Sequence, residues 1–182
     1  MRRRGWLKLG IAGGALLALA GGGLALVRPG WAEGRLTPAG RALFAAAARA
    51  VLDGVLPDRA LAAAEHERAI AAHLERLEGT IAALPASTQA EIAQLAALLL
   101  HPLGRRLIAG LASDWPQADA GLASDWPQAG LPELRKALQG LRDSSFVLEQ
   151  QAFHALRDLT NGAYFADPAT WPAIGYPGPQ PI

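Results

Sequence analysis

Apolar residues recur at three- and four-residue spacings over most of the chain, a pattern typical of amphipathic α-helices. We expect the first helix to take Thr37 as its N-cap and Pro38 as its first residue, and to run to about Gly54. The next helix follows Asp58, whose carboxylate can cap it, and is closed by Pro85. Its apolar stripe consists of Ile70, Leu74, Leu77, Ile81 and Leu84. The first half of the chain therefore predicts two helices.

The second half predicts three more helices. Thr88 and Glu91 form a capping box ahead of a strongly apolar helix. Two helices follow, one over residues 131–141 and a last one from the serines at 144–145 to about residue 162. Alanine and leucine dominate the composition, whereas valine, isoleucine and threonine are sparse, and this balance favours helix over strand. The sequence therefore predicts an all-α fold, a small bundle of about five helices.

Two segments interrupt the pattern before the last helix. Residues 29–36 contain one proline and two glycines and are expected to be a linker ahead of a helical domain over residues 37–162. Within that domain, residues 110–129 carry the same nine-residue sequence twice, at a period of eleven residues. Because lengthening a loop costs little free energy, we interpret this as a duplicated surface loop. A functional doubled tryptophan site is the alternative.

Residues 163–182 form a C-terminal tail that we expect to be extended and irregular, since five prolines and two glycines oppose helix there. A disordered tail is normally poor in aromatic residues, but this tail is rich in them. We therefore expect it to lie on a surface, either of its own helices or of a partner protein. The candidate contact residues are Tyr164, Phe165, Trp171, Ile174, Tyr176 and Pro177.

The first 28 residues have the organisation of a targeting segment, a cationic head followed by an uncharged run over residues 9–27. The head resembles the twin-arginine export motif, in which two arginines, a spacer, an aromatic residue, leucine and lysine precede a weakly apolar run. The residues of this motif are Arg3, Arg4, Trp6, Leu7 and Lys8. Arg2 stands where that motif usually has serine or threonine. The resemblance implies recognition by the twin-arginine translocase, which carries folded proteins, and a periplasmic location.

The uncharged run is also long enough to be a single membrane-spanning helix, since nineteen residues cover roughly the ~30 Å hydrocarbon core. Three consecutive glycines at positions 21–23 weaken such a helix. The Trp31-Ala32-Glu33-Gly34 sequence is a poor cleavage site. Two alternatives therefore remain: a signal that is cleaved, and an uncleaved signal that tethers the chain to the inner membrane.

The formal net charge of +1 hides a difference between the two parts of the chain. Residues 1–28 hold five of the 17 Lys and Arg and none of the 16 Asp and Glu, so the remainder carries 12 minus 16, or −4. Because the residues after position 28 have no excess of basic side chains, the sequence argues against nucleic-acid binding. The absence of cysteine excludes disulfides, c-type haem attachment and iron–sulfur clusters.

The remaining candidate chemistry is sparse. The four histidines are His66, His73, His101 and His154. The first two share a helix face, but the Glu-x-x-His spacing of di-iron bundles does not occur, and we interpret both as solvated. His154 is interpreted as a partly buried structural residue. No phosphate-binding glycine motif or nucleophile elbow is present. We therefore assign no catalytic, cofactor-binding or metal residue, and the chain is expected not to be an enzyme on its own.

The last helix and the tail resemble the end of the small subunit, also called gamma or subunit 3, of gluconate 2-dehydrogenase. The residues that carry the resemblance are Gln151-Ala152-Phe153, Leu156, residues 163–168, Trp171 and residues 174–179. The twin-arginine head is similar too, whereas the middle agrees only in being helical and the duplicated loop is a departure.

This resemblance implies an accessory subunit without a cofactor. Its partner would be an FAD-containing catalytic subunit of the glucose–methanol–choline class, which lacks its own signal, and a cytochrome c subunit often takes the electrons onward. The chain would then carry the folded flavoprotein into the periplasm. The competing hypotheses are a free-standing, membrane-tethered helical binding protein and an enzyme using the Glu65–His73 helix.

Overall fold

The computed structural model describes residues 29–100 and 130–179, and these residues form an all-α bundle of five α-helices, as the sequence predicts. In chain order the helices are α1 (Pro38–Val51), α2 (Ala63–Ala82), α3 (Ala86–Leu100), α4 (Leu131–Asp143) and α5 (Val147–Phe165). A two-stranded hairpin of β1 (Trp31–Ala32) and β2 (Arg35–Leu36) precedes them, and a 3₁₀ helix (Pro168–Ile174) follows. The twin-arginine motif, His101 and the duplicated loop lie outside the described residues.

Helix α1 lies at the centre of the bundle and contacts all four other helices. Thr37 caps it as predicted, because its hydroxyl oxygen accepts from the Gly40 amide at 3.1 Å and Pro38 follows at the first helical position. Half of the residues of this helix are alanine, and its buried residues are Gly40, Leu43, Phe44, Ala46, Ala47 and Ala48. Its small side chains allow the surrounding helices to pack closely around it.

The segment expected as a linker is instead a packed antiparallel hairpin. Trp31 pairs with Leu36, and both side chains are buried. Its two-residue turn consists of Glu33 and Gly34, which have φ of 53° and 76°. A tight hairpin turn needs two residues in this left-handed region, and glycine adopts it without a steric penalty. The hairpin gains stability from the two apolar side chains that it buries against the helices.

The residues predicted to cap α2 and α3 do not cap them. Asp58 does not cap α2; its carboxylate accepts from the Ala60 amide at 2.7 Å in the preceding turn, and the helix begins five residues later. Helix α3 begins at Ala86, so Thr88 lies inside the helix and does not cap it. The side-chain amide of Gln89 instead donates to the carbonyl oxygens of Ala82, the last residue of α2, and Leu84 in the turn before α3. Local polar residues thus support both turns without defining the helix ends.

Helices α4 and α5 continue past their predicted ends, and α5 packs on α1, α2 and α4. The core-facing side chains of α5 are Glu149, Ala152, Leu156, Thr160, Ala163 and Tyr164. Ala152, Thr160 and Ala163 are small, which allows close approach to α1 and α2. Phe146, which the sequence places in the last helix, is the residue before α5 and is 60% exposed. The serine pair does not cap the helix through a side chain to its first turn.

The hairpin and α1 meet at two glycines, where a side chain cannot be accommodated. A Cβ atom at Gly40 would lie 1.8 Å from the carbonyl oxygen of Gly30. We predict that Gly40→Ala lowers the free energy of unfolding by about 1–3 kcal/mol, because the hairpin must move away from α1. Urea unfolding followed by circular dichroism measures the change.

The matched control for Gly40→Ala is Gly79→Ala in α2. A Cβ atom there meets nothing within 4 Å. Replacing an open helical glycine by alanine should raise stability by up to about 1 kcal/mol. Equal effects of the two substitutions would contradict the close contact between Gly30 and Gly40.

Candidate functional site

The C-terminal tail is ordered as helix over most of its described length, which corrects the prediction of an extended segment. Helix α5 passes through Gly162 and ends at Phe165. The carboxylate of Asp167 then caps the 3₁₀ helix by accepting from the Ala169 amide at 2.9 Å. Proline fixes φ near the value that a 3₁₀ helix uses, so Pro168 and Pro172 fit within it although they would break an α-helix.

Two sets of hydrogen bonds hold the 3₁₀ helix against the end of α5. The indole N–H of Trp171 donates to the carbonyl oxygen of Phe165 at 2.8 Å. The hydroxyl of Thr170 donates to the carbonyl oxygens of Tyr164 and Asp167, at 3.1 and 2.7 Å. These side-chain bonds replace backbone hydrogen bonds that proline cannot donate. They also fix the direction in which the tail continues from α5.

Arg76 of α2 joins the tail to the bundle. Its Nε donates to the carbonyl oxygen of Ala163 at 3.3 Å, near the end of α5. Its Nη1 lies 3.1 Å from a carboxylate oxygen of Asp167, and both side chains are about 30% exposed. A charge-assisted contact to the cap of the 3₁₀ helix and a bond to α5 thus come from the same guanidinium.

Tyr164, one of the six predicted contact residues, belongs to the protein's own core. Its ring is buried, and its hydroxyl donates to the carbonyl oxygen of Val55 at 3.3 Å. Burial raises the pKa of the Tyr164 hydroxyl, and the charge of Arg76 opposes that rise. Phe165 is partly buried, with its ring edge-on to the Tyr164 ring at 5.1 Å between centroids. These two aromatic residues therefore pack the end of α5 against the protein's own core.

The other predicted contact residues form an aromatic face on the 3₁₀ helix and the two residues after its C-cap, and we define this face as Trp171, Ile174, Tyr176 and Pro177. Ile174 is 54% exposed and Tyr176 is 45% exposed. The Trp171 and Tyr176 rings lie 5.2 Å apart between centroids and are tilted by 58°. They border an open depression of about 360 Å³. Its other lining residues are Pro168, Pro172, Gly175 and Pro177.

The aromatic face is apolar and carries no charge. No residue from 168 to 182 carries a formal side-chain charge, and the one acid just ahead, Asp167, is paired with Arg76. Exposed aromatic, isoleucine and proline side chains on a fixed support can bury apolar area against a partner with little loss of side-chain freedom. The lining offers no pair of titratable groups for acid–base catalysis.

The histidines of α2 are buried, so the interpretation of them as solvated is wrong. His73 is 0% exposed and His66 is 7% exposed. The Nδ1–H of His66 donates to the carbonyl oxygen of Pro57 at 2.8 Å. Both histidines fall at helical spacing from Ile70 and Leu77, so the apolar stripe itself contained the signal that they point inward. His154, by contrast, is exposed rather than partly buried.

His73 is the most perturbed base in the described part of the chain. Neither ring nitrogen has a protein hydrogen-bond partner, and its ring lies 6.3 Å from the Tyr164 ring between centroids. Burial, with a smaller contribution from the nearby charge of Arg76, lowers the pKa of His73 to about 4. The imidazole is therefore neutral at physiological pH and acts as a packed core side chain.

Within residues 29–100 and 130–179, no group of three or more His, Cys, Asp or Glu side chains is arranged to hold a metal ion. No helix among those residues is long and apolar enough to cross a membrane.

Comparison with known proteins does not identify a family for this chain. No protein-family model matches it, and no curated protein or solved structure is detectably similar.

The buried His73 predicts that stability falls on mild acidification. Between pH 6.5 and about 4 the unfolded chain binds a proton at this residue and the folded chain does not, so lowering the pH favours unfolding. The loss should reach roughly 3 kcal/mol at pH 4 and level off below it. Urea unfolding at several pH values measures the slope, which His73→Leu should flatten.

The exposed His154 provides the matched control for this substitution. His154→Gln removes a histidine from the surface of α5 and is measured beside His73→Leu in the same urea series. An unchanged slope in His73→Leu would contradict a neutral, buried imidazole.

Proposed function

We propose that this chain is a non-catalytic accessory subunit that carries a folded FAD-dependent dehydrogenase of the glucose–methanol–choline class across the membrane and stabilises it in the periplasm. The observation that carries the proposal is the aromatic face, an uncharged and exposed surface on a rigidly held 3₁₀ helix. The resemblance of the tail to the small subunit of gluconate 2-dehydrogenase supplies the class of partner.

The geometry of the aromatic face supports a role in binding. Tryptophan and tyrosine are frequent anchors of protein interfaces because they bury a large area with few rotatable bonds. Trp171 is held by the bond from its indole to Phe165, so little rotamer entropy is lost when a partner covers it. The depression beside it can receive an apolar side chain of the partner. The flavin and the substrate pocket then belong to the partner subunit.

The twin-arginine motif supports the transport part of the proposal. That export route accepts folded proteins, so a flavoprotein that must bind FAD in the cytoplasm can cross only as a folded complex with a signal-bearing chain. Outside residues 1–28 this chain has a net charge of −4 and no cysteine. Its stability therefore comes from helix packing and is independent of oxidative folding after export.

We predict that Arg3→Lys combined with Arg4→Lys strands both subunits in the cytoplasm. The paired arginines are the recognition element of the motif, and lysine keeps the charge while losing the planar guanidinium. The measurement is dehydrogenase activity and chain content in periplasmic, membrane and cytoplasmic fractions. The chain should be co-expressed with the flavoprotein encoded in a neighbouring reading frame. Activity that is still exported would contradict the escort role.

A second prediction concerns the aromatic face directly. Ile174→Asp should lower affinity for the flavoprotein by about tenfold or more, because it places a charge in an apolar contact. Co-purification of a yellow complex, followed by titration of the separated subunits, measures the loss. Leu61→Asp is the matched control, since Leu61 is 87% exposed at a different turn of the bundle.

The outcome distinguishes the proposal from its alternative. Equal loss with Ile174→Asp and Leu61→Asp would mean that the aromatic face is not the binding surface. A chain that stays colourless and monomeric beside every candidate flavoprotein would favour the free-standing, membrane-tethered helical binding protein.

A further inference from the structure

The described part of the chain begins at Pro29, where its backbone is held by the start of α1. The hydroxyl of Thr37 donates to the carbonyl oxygen of Pro29 at 2.6 Å. The amide of the same residue donates to the carbonyl oxygen of Gly30 at 3.1 Å. Thr37 therefore caps α1 through its oxygen and also fastens the first two described residues of the chain.

Close packing adds to these bonds. A Cβ atom at Gly30 would lie 2.4 Å from the Cβ of Ala96 in α3, and one at Gly40 would lie 1.8 Å from the carbonyl oxygen of Gly30. The Gly30 backbone is thus enclosed between α1 and α3. Glycine at both positions is what permits this approach.

The second strand of the hairpin is held by α2. The amide of Leu36 donates to a carboxylate oxygen of Glu78 at 3.1 Å, and the same oxygen lies 3.4 Å from the Arg41 guanidinium. Trp31 and Leu36 are each 6% exposed. Residues 29–37 are therefore attached to three helices, and they cannot separate from the bundle without breaking all of these contacts.

The small-residue sequence Ala32-Glu33-Gly34 lies inside this hairpin. It is the poor cleavage site noted in the sequence: small residues stand at the third and first positions before Arg35, which is the minimum that signal peptidase requires, with a glutamate between them. Proteases bind their substrates as extended strands, whereas Glu33 and Gly34 form a left-handed turn and Ala32 is paired with Arg35. Cleavage after Gly34 therefore requires the hairpin to unfold first.

We propose that folding of this hairpin hides the site from signal peptidase, so that the exported chain keeps the segment ahead of Pro29 and stays attached to the membrane through it. The inference rests on the export role proposed above. A chain exported by the twin-arginine route is folded before it crosses, and the peptidase therefore meets the hairpin already formed. The dehydrogenase bound to the aromatic face is then held at the membrane by this subunit.

Trypsin tests the accessibility of the hairpin without any need for export. The bond after Arg35 is in the second strand, and the bond after Arg28 resists trypsin because proline follows it. The purified full chain in detergent is digested, and cleavage after Arg35 is followed by intact mass. The bond after Arg59, in the exposed turn before α2, provides the internal reference.

We expect the bond after Arg35 to be cut at least tenfold more slowly than the bond after Arg59, since local opening limits the rate. Gly40→Ala should remove most of that protection, and Gly79→Ala should keep it. If circular dichroism shows that Gly40→Ala is unfolded, Thr37→Val takes its place as the test variant. It loses the bond to Pro29, and we expect its cleavage rate after Arg35 to lie between those of the unchanged and the unfolded chain. Cleavage at the same rate in the folded and urea-unfolded chain would overturn the inference.

Intact mass of the chain recovered from the envelope tests the biological consequence. We expect a chain that begins at Met1 or Arg2 and that stays with the membrane after alkaline extraction. A chain that begins anywhere between residues 21 and 37 would overturn the inference. A chain found only in the cytoplasm would contradict the proposed export role, and the trypsin rates would still decide whether the hairpin hides the site.

Discussion

The structure depends on a central helix made largely of alanine. Helix α1 contacts every other helix of the described bundle, and its inward positions include Gly40 and three consecutive alanines at 46–48. Small side chains bring neighbouring backbones close together, so the larger side chains of the surrounding helices complete the core. Leu43 and Phe44 are the two large exceptions, and both are fully enclosed. A larger side chain at a buried position of α1 therefore displaces the elements packed against it, which along its length are the hairpin and the four other helices.

Helix α2 connects the two ends of the described chain. Glu78 binds the amide of Leu36 at the hairpin, and Arg76 binds α5 and the cap of the 3₁₀ helix. These two residues are nearly adjacent in sequence but point to different sides of α2, since successive helical residues are rotated by about 100°. The entry of the chain and the aromatic face are thus positioned by the same helix. Charged residues that a helical wheel assigns to solvent are here structural contacts.

The sequence predicts the helices well because their apolar periodicity is strong, and Thr37 with Pro38 marks the start of α1 correctly. It misses the hairpin because strands of two residues carry no periodic signal. It also misses the helical form of the tail, since Pro168 and Pro172 indicate a break in an α-helix yet fit a 3₁₀ helix. The helix ends at α2 and α3 depend on tertiary contacts that no local cap encodes.

The candidate site was only partly predictable for a related reason. An aromatic-rich tail indicates contact with a surface, but periodicity cannot tell which aromatic side chains turn back into the protein. The end of α5 decides this, because continuing the helix to Phe165 carries Tyr164 into the core beside His73 and leaves Ile174 and Tyr176 outside. The burial of Tyr164 also supports the exposed residues, since it fixes the end of α5, to which the 3₁₀ helix is hydrogen-bonded. A rigid support and an exposed apolar surface are therefore two parts of one arrangement, and the binding role proposed for the aromatic face depends on both.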